Sequence, residues 1–254
     1  MYRPRLIPVL LLKDGGLVKS VKFKQFKYIG DPINAVSIFN NLEVDELIFL
    51  DINASKEKRS ISLDLVRKIS DEAYMPFSIG GGINNLEQIS SILNLGAERV
   101  VISTAIWEKP NFIKEASKAF GSSTISVCMD IKKSLFRSEQ VWYLNAQKPT
   151  KINPVIFAKK MEEDGVGELI IQSVDLDGIM EGYNLELLDK ISNSVSIPIT
   201  ALGGAGNLMH MREAYKKINL NGLASGSSFI YHGKEKGILI NYPNKQDILQ
   251  NFIK

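Results

Sequence analysis

Glu46-Leu47-Ile48 returns as Glu168-Leu169-Ile170, and the offset of 122 residues holds for Pro76 and Pro198, Gly81-Gly82 and Gly203-Gly204, and Asn85-Leu86 and Asn207-Leu208. A strand, a glycine-rich loop and a helix start repeated in step mark a duplicated structural unit. Such a unit is half of something closed. Each half brings one glycine-rich anion site, so the ligand expected is one with two phosphates.

Outward from this repeat, short apolar, β-branched runs alternate with longer helical patterns. The runs fall at 6–12, 46–50, 75–79, 99–103, 124–129, 168–172, 197–201 and 222–225. The helical patterns fall at 32–42, 62–72, 86–95, 111–119, 154–163, 185–192, 209–217 and 245–252. Strict alternation of this kind reads as a parallel sheet, and near-continuous apolar strands such as Leu47-Ile48-Phe49-Leu50 fit burial on both faces. The expectation is an α/β fold, a (β/α)8 TIM barrel formed by one domain over 1–254, with half-barrels at about 1–122 and 123–254. An open doubly wound sheet is the alternative.

The chain has 254 residues, 44% hydrophobic and 23% charged, enough for one large domain with a full core. Its net charge of +3, from 31 basic and 28 acidic residues, points weakly to an anionic partner. No RNA-binding aromatic signature accompanies the lysines, so nucleic acid is not the expected partner. No apolar run is long enough for a bilayer, the start Met1-Tyr2-Arg3-Pro4-Arg5 does not read as a secretion signal, and the expected compartment is the cytoplasm. Cys128 is the one cysteine, and with His210 and His232 far apart no metal site is expected. Cys128 reads as a buried structural thiol, and nothing in the sequence calls for a cofactor.

Two connections are long, 13–30 after the first strand and 131–151 after the fifth, and both belong on the catalytic face of a barrel. The first carries Lys13, Lys19, Lys22, Lys24 and Lys27 and reads as a lid or phosphate clamp. The second contains Val141-Trp142-Tyr143-Leu144, either a small hairpin or plain packing. Gly81-Gly82 and Gly203-Gly204 each precede a helix, where the backbone can approach an anion closely. Ser103-Thr104 and Gly226-Ser227, at the ends of the fourth and eighth runs, could complete the two cradles. The candidate acids at the mouth are Asp51, Asp130, Asp175 and Asp177. Each could equally cap loop amides or pair with lysines, and Asp177 has a fair claim to a turn role.

The first run holds a defect. Setting Lys13 against Lys132 places Leu11 opposite Asp130, so the second half has a carboxylate where the first has leucine. A paired acid–base mechanism across the barrel then lacks one partner. At the opposite end, Arg5, Glu46, Arg99 and Glu168 stand at or near strand starts. They could form a ring across the barrel floor or simply be solvated.

The chain resembles the cyclase subunit of imidazole glycerol phosphate synthase, the HisF family, over essentially its whole length. The resemblance is carried by Arg5-Leu6-Ile7-Pro8, Lys13-Asp14-Gly15, Gly30-Asp31-Pro32, 45–52, Gly80-Gly81-Gly82-Ile83, Lys148-Pro149-Thr150, Asp175-Leu176-Asp177-Gly178 and 203–207. It implies a glutaminase subunit, HisH-like, docked on the N-terminal face of the barrel. Ammonia from it would cross to a bisphosphorylated ribulosyl aminoimidazole carboxamide nucleotide. It further implies that the two cradles hold phosphates, that Lys19 contacts substrate and that Asp130 is one of two catalytic aspartates. Arg5, Glu46, Arg99 and Glu168 would be the charged gate of the ammonia passage. The second catalytic aspartate corresponds to Leu11. With this leucine and Lys22-Phe23-Lys24, the chain resembles a branch linked to surface polysaccharide synthesis. There, barrel and glutaminase supply ammonia to a third protein that converts an acetamido sugar to an acetamidino sugar. Three readings follow: that ammonia-conducting subunit, a histidine-pathway cyclase with rewired proton transfer, and a barrel serving only as scaffold or activator.

Overall fold

The computed structural model describes residues 3–134, 138–233 and 235–252. Met1 and Tyr2 of the N-terminal stretch, and 135–137 within the second long connection, lie outside them. In chain order the strands are β1 (Arg5–Lys13), β2 (Gly16–Val21), β3 (Lys24–Gly30), β4 (Leu47–Asp51), β5 (Phe77–Gly80), β6 (Arg99–Ile102), β7 (Ile125–Lys133), β8 (Glu139–Tyr143), β9 (Lys148–Pro149), β10 (Glu168–Ser173), β11 (Ile199–Leu202), β12 (Gly222–Ser225), β13 (Tyr231–His232) and β14 (Gly237–Ile238). The helices are α1 (Pro32–Asn41), α2 (Leu63–Glu72), α3 (Leu86–Asn94), α4 (Ala105–Glu108), α5 (Phe112–Phe120), α6 (Pro154–Glu163), α7 (Leu185–Ser192), α8 (Leu208–Lys217) and α9 (Lys245–Phe252).

Among the described residues, eight strands close a parallel barrel. They pair in the order β1, β4, β5, β6, β7, β10, β11 and β12, and β12 returns to β1. This is the TIM barrel, with helices outside and packed strands within. Its interior holds Ile7, Val9, Ile48, Val101, Cys128, Ile170, Leu202 and Ala224, all buried, with Leu11 and Leu50 packed above them. A larger apolar cluster, including Leu6, Leu10, Phe39, Leu47, Phe49 and Leu169, fills the space between strands and helices. The alternation along β1, Leu6 and Leu10 outward, Ile7 and Val9 inward, is the pleat sorting side chains between these two cores.

Two strand starts lie later than the apolar runs indicate, for the same reason in both halves. Pro76 and Pro198 accept from the backbone N–H groups of Leu47 and Leu169, at 3.0 and 2.9 Å. Having no N–H to return, each proline stands at the rim, and β5 and β11 begin at Phe77 and Ile199. The helices after the glycine loops also start alike. Asn85 Oδ1 accepts from Gln88 N–H and Asn207 Oδ1 from His210 N–H. Gln88 and His210 reach back to the N–H groups of Asn84 and Gly206, a reciprocal cap at each site. His210 is thereby a helix-capping residue.

Both long connections are built as hairpins. β2 and β3 extend β1 antiparallel, and β8 with β9 does the same for β7. The turn between β2 and β3 is Lys22-Phe23, with φ of 53° and 58°, the left-handed pair that a two-residue hairpin turn requires. Nothing in β3 alternates, because its residues from Lys24 to Tyr28 are all exposed or nearly so.

Helix α1 shows how one layer is held. Asp31 caps it through the N–H groups of Ile33 and Asn34, Pro32 opens it, and Pro32, Ala35, Val36 and Phe39 form its buried stripe. Phe39 is completely buried. Phe39→Ala should therefore lower the unfolding free energy by about 3–5 kcal/mol in urea titration.

Candidate functional site

A cavity of about 700 Å³ opens at the C-terminal mouth of the barrel. Its wall brings together Leu11, Lys19, Asp51, Gly81, Gly82, Ser103, Thr104, Asp130, Asp177, Gly226 and Ser227. Gly203, Gly204 and Asp175 are not on that wall. Asp175 instead borders a neighbouring cavity of about 400 Å³ with Lys133 and Glu139.

Strand register decides what stands beside what. In the first half Leu11 on β1 pairs with Leu50 on β4; in the second, Asp130 on β7 pairs with Gln172 on β10. The mouth thus has an apolar side and a polar side. Gln172 was not singled out by sequence, since an amide within an apolar strand gives no signal of its own. The cavity is also bordered by Lys56, Lys58 and Arg59 of the loop after β4, which the charged run 56–59 could have indicated.

Asp130 is buried, and desolvation first, then the nearby Asp177, push its pKa up to about 7, while a hydrogen bond from the Ala146 backbone works the other way. Lys19 is also buried, with Nζ donating to the Val9 carbonyl at 2.6 Å. Desolvation lowers its pKa to about 7 against the pull of Asp177. A carboxyl and an amine poised near neutrality can each hold or release a proton at working pH. Cys128, with Sγ 4.0 Å from an Asp130 oxygen, has its thiol pushed well up by burial and by Asp130. It is a core residue.

The remaining acids are engaged by the loops. Asp51 pairs with Arg59 at 2.6 Å and accepts from the N–H groups of Asn53 and Ala54. Asp177 accepts from Ser20 Oγ at 2.8 Å and from Phe23 N–H, and its own carbonyl accepts from Lys22 N–H. It clasps the tip of the β2–β3 hairpin. Asp175 accepts from Lys133 N–H at 2.9 Å, at the last paired position before the turn of the β7–β8 hairpin.

The glycines answer to close packing of loops. A Cβ on Gly82 would lie 1.8 Å from the Arg59 carbonyl oxygen, and one on Gly204 would lie 2.0 Å from that of Gly182. Gly81 and Gly203 likewise stand against the backbones at Asp51 and Ser173. At Gly226 the nearest atom is Lys19 Nζ, 3.0 Å from where a Cβ would be.

At the barrel floor, Arg5, Glu46, Arg99 and Glu168 meet in one ion-paired cluster. Arg5 donates to Glu46 and, at 2.6 Å, to Glu168; Arg99 approaches the same two at 3.4 and 3.8 Å. Ser78 and Thr200, again 122 residues apart, donate their hydroxyls to Glu46 and Glu168. Both glutamates are buried, so the arginines and hydroxyls compensate two desolvated charges. Among the described residues, no group of three or more His, Cys, Asp or Glu is placed to hold a metal ion, and no helix is long and apolar enough to cross a membrane.

Two expectations follow. Unfolded lysine keeps its proton to 10.5, whereas folded Lys19 releases it at about 7, so between these values the unfolded chain binds more protons and rising pH favours the fold. The unfolding free energy of the native chain minus that of Lys19→Met should climb by about 1.4 kcal/mol per pH unit from about pH 7.5 to about 9.5. Gly82→Ala should destabilise by more than about 2 kcal/mol, while Gly15→Ala, with φ of 79° but nothing within 4 Å, should cost about 1 kcal/mol in the same denaturation assay.

Comparison with known proteins agrees with this architecture. The model of the family described as "Histidine biosynthesis protein" matches residues 5–236. The chain is 44% identical over 248 residues to the protein of Leptospira interrogans named "Putative imidazole glycerol phosphate synthase subunit HisF", covering 97% of this chain and 98% of that one. A similarly named protein numbered hisF3, from Vibrio vulnificus (strain YJ016), is 42% identical, with 97% and 95% covered. Another, numbered hisF2, from Pseudomonas aeruginosa, is 41% identical over 250 residues, with 98% and 100% covered. The chain belongs to the histidine biosynthesis protein family, on its HisF-like side.

Proposed function

We propose that this chain is the HisF-like barrel subunit of a glutamine-dependent amidotransferase complex. In this reading a HisH-like glutaminase docks on the N-terminal face and releases ammonia at the barrel floor. The gas passes the Arg5–Glu46–Arg99–Glu168 cluster and the apolar interior to the mouth. A third protein takes it there for acetamidino modification of a surface-polysaccharide sugar, and a phosphorylated small molecule occupies the cavity. Such a passage has a physical logic: charged ammonium is stopped by an apolar interior that neutral ammonia can enter.

The observation that carries the proposal is Leu11 beside Leu50, where the other half presents Asp130 beside Gln172. Leucine cannot take or give a proton, so the chemistry that needs two acids across the mouth has one. The numbered names hisF2 and hisF3 of two relatives fit a HisF-like copy with a task of its own. A second reading, the cyclase of imidazole glycerol phosphate formation, is favoured by Asp130 and Lys19, both poised at about 7 in the same cavity.

Cyclase turnover with the bisphosphorylated nucleotide and excess ammonium salt separates the two, because it bypasses the glutaminase. The proposal expects no product from the native barrel and measurable product from Leu11→Asp. Native turnover of about 1 per second, an ordinary enzyme rate, would sink it in favour of the cyclase.

A further inference from the structure

A strap lies across the mouth. The turn that joins β8 to β9, Leu144-Asn145-Ala146, belongs to the second half of the chain and follows from β7, the fifth strand of the barrel. Its Asn145 side chain donates from Nδ2 to the carbonyl of Ile52, just beyond β4, the second strand. Three strand positions separate these two points, so the connection runs over the opening and not along its rim. Asn145 and Ala146 line the cavity together with Leu50, Cys128 and Asp130 of the barrel's inner wall.

The turn is held in this position and does not simply rest there. Leu144, Asn145 and Ala146 have φ of 53°, 54° and 54°, three successive left-handed residues with no glycine among them. A tight hairpin turn uses two such residues, and L side chains other than those of Asn and Asp avoid the region. Strain of this kind lasts only where surrounding contacts impose it. Here those contacts are the Asn145 bond to Ile52 and a hydrogen bond from Ala146 N–H to the Asp130 carboxyl, with Ala146 itself buried. The stem adds little, because β9 has two residues and Pro149 brings no N–H to the ladder.

We infer that the 144–146 turn is a gate over the barrel mouth, latched by Asn145 on Ile52 and by Ala146 on Asp130, and that it swings from Tyr143 to uncover the interior. Tyr143 is the hinge end, since its ring packs on Trp107 of α4 at 5.7 Å and is fixed to the helix layer. Opening loses two hydrogen bonds but frees Leu144 and Ala146 from the left-handed region, so the closed and open arrangements lie near balance. Such a gate serves either reading of the function, because in both something must enter or leave by this mouth.

The molecule carries its own reporter. Cys128, the one cysteine of the chain, lines the cavity and is only 8% exposed, so its reaction with methyl methanethiosulfonate reads how often the gate stands open. Two adjacent glycine substitutions in the full chain test the latch with opposite signs. Asn145→Gly keeps the left-handed backbone but loses the bond to Ile52, and should label about fivefold faster than native. Ala146→Gly keeps the N–H donor and removes the strain of a left-handed alanine, and should label about threefold slower. Both ratios should be the same at about pH 8 and about pH 9, since they report opening and not thiol ionisation. The native rate should stay flat in urea below the unfolding transition, as for a local opening that exposes little surface. Equal rates in all three proteins, both variants shifting in the same direction, ratios that change with pH, or a rate that climbs with urea as steeply as global unfolding would each overturn the inference.

Discussion

Closure of eight parallel strands is the constraint on which everything else in this molecule depends. Once β12 pairs with β1, every inward side chain has fixed neighbours at its own height. The floor collects Arg5, Glu46, Arg99 and Glu168, the middle collects aliphatic residues and Cys128, and the mouth collects Leu11, Leu50, Asp130 and Gln172. These layers differ sharply in polarity over a few residues of strand. No single strand reads as amphipathic along its length, yet the stack is ordered from charged to apolar to mixed. An axis of this kind treats a neutral small molecule differently from its charged form.

The floor shows how such an arrangement is tolerated. Two buried carboxylates would each raise the free energy of the fold by several kcal/mol if left alone. Here each has a hydroxyl from the next strand and shares two arginines, and the hydroxyls keep the 122-residue repeat while the arginines do not. The repeat thus survives where the chain must solve the same problem twice: proline at the strand entry, asparagine at the helix cap, a hydroxyl beneath each glutamate. It lapses at the mouth, where leucine answers carboxylate and leucine answers amide.

Most of the architecture was legible because its causes are local. Apolar runs, Pro76 and Pro198, and the capping asparagines each act within a few residues of themselves, and barrel strands and helices followed from them. The hairpins were harder: β3 buries almost nothing, so it carries no periodic signature, and its turn uses Lys22-Phe23 where glycine or asparagine would have announced it. Site residues were legible by kind but not by situation. By residue type Lys19 looked like its four neighbouring lysines, and only the family resemblance set it apart; its burial beside Val9 and Gly226 is a product of tertiary packing. Asp51, Asp175 and Asp177 looked like mouth acids, and their hydrogen bonds make them loop fasteners as well. Gln172 went unnoticed, because an unpaired amide is a property of its surroundings.

The short turn after β10 has a mechanical consequence. Asp175 holds the backbone of one rim hairpin and Asp177 the tip of the other, with a single residue, Leu176, between them. The two rims come from opposite halves of the chain, yet they are yoked through one short 3-10 turn. A ligand that displaces this turn pulls on both sides of the mouth together, so the halves of this divided entrance are geared to move as one.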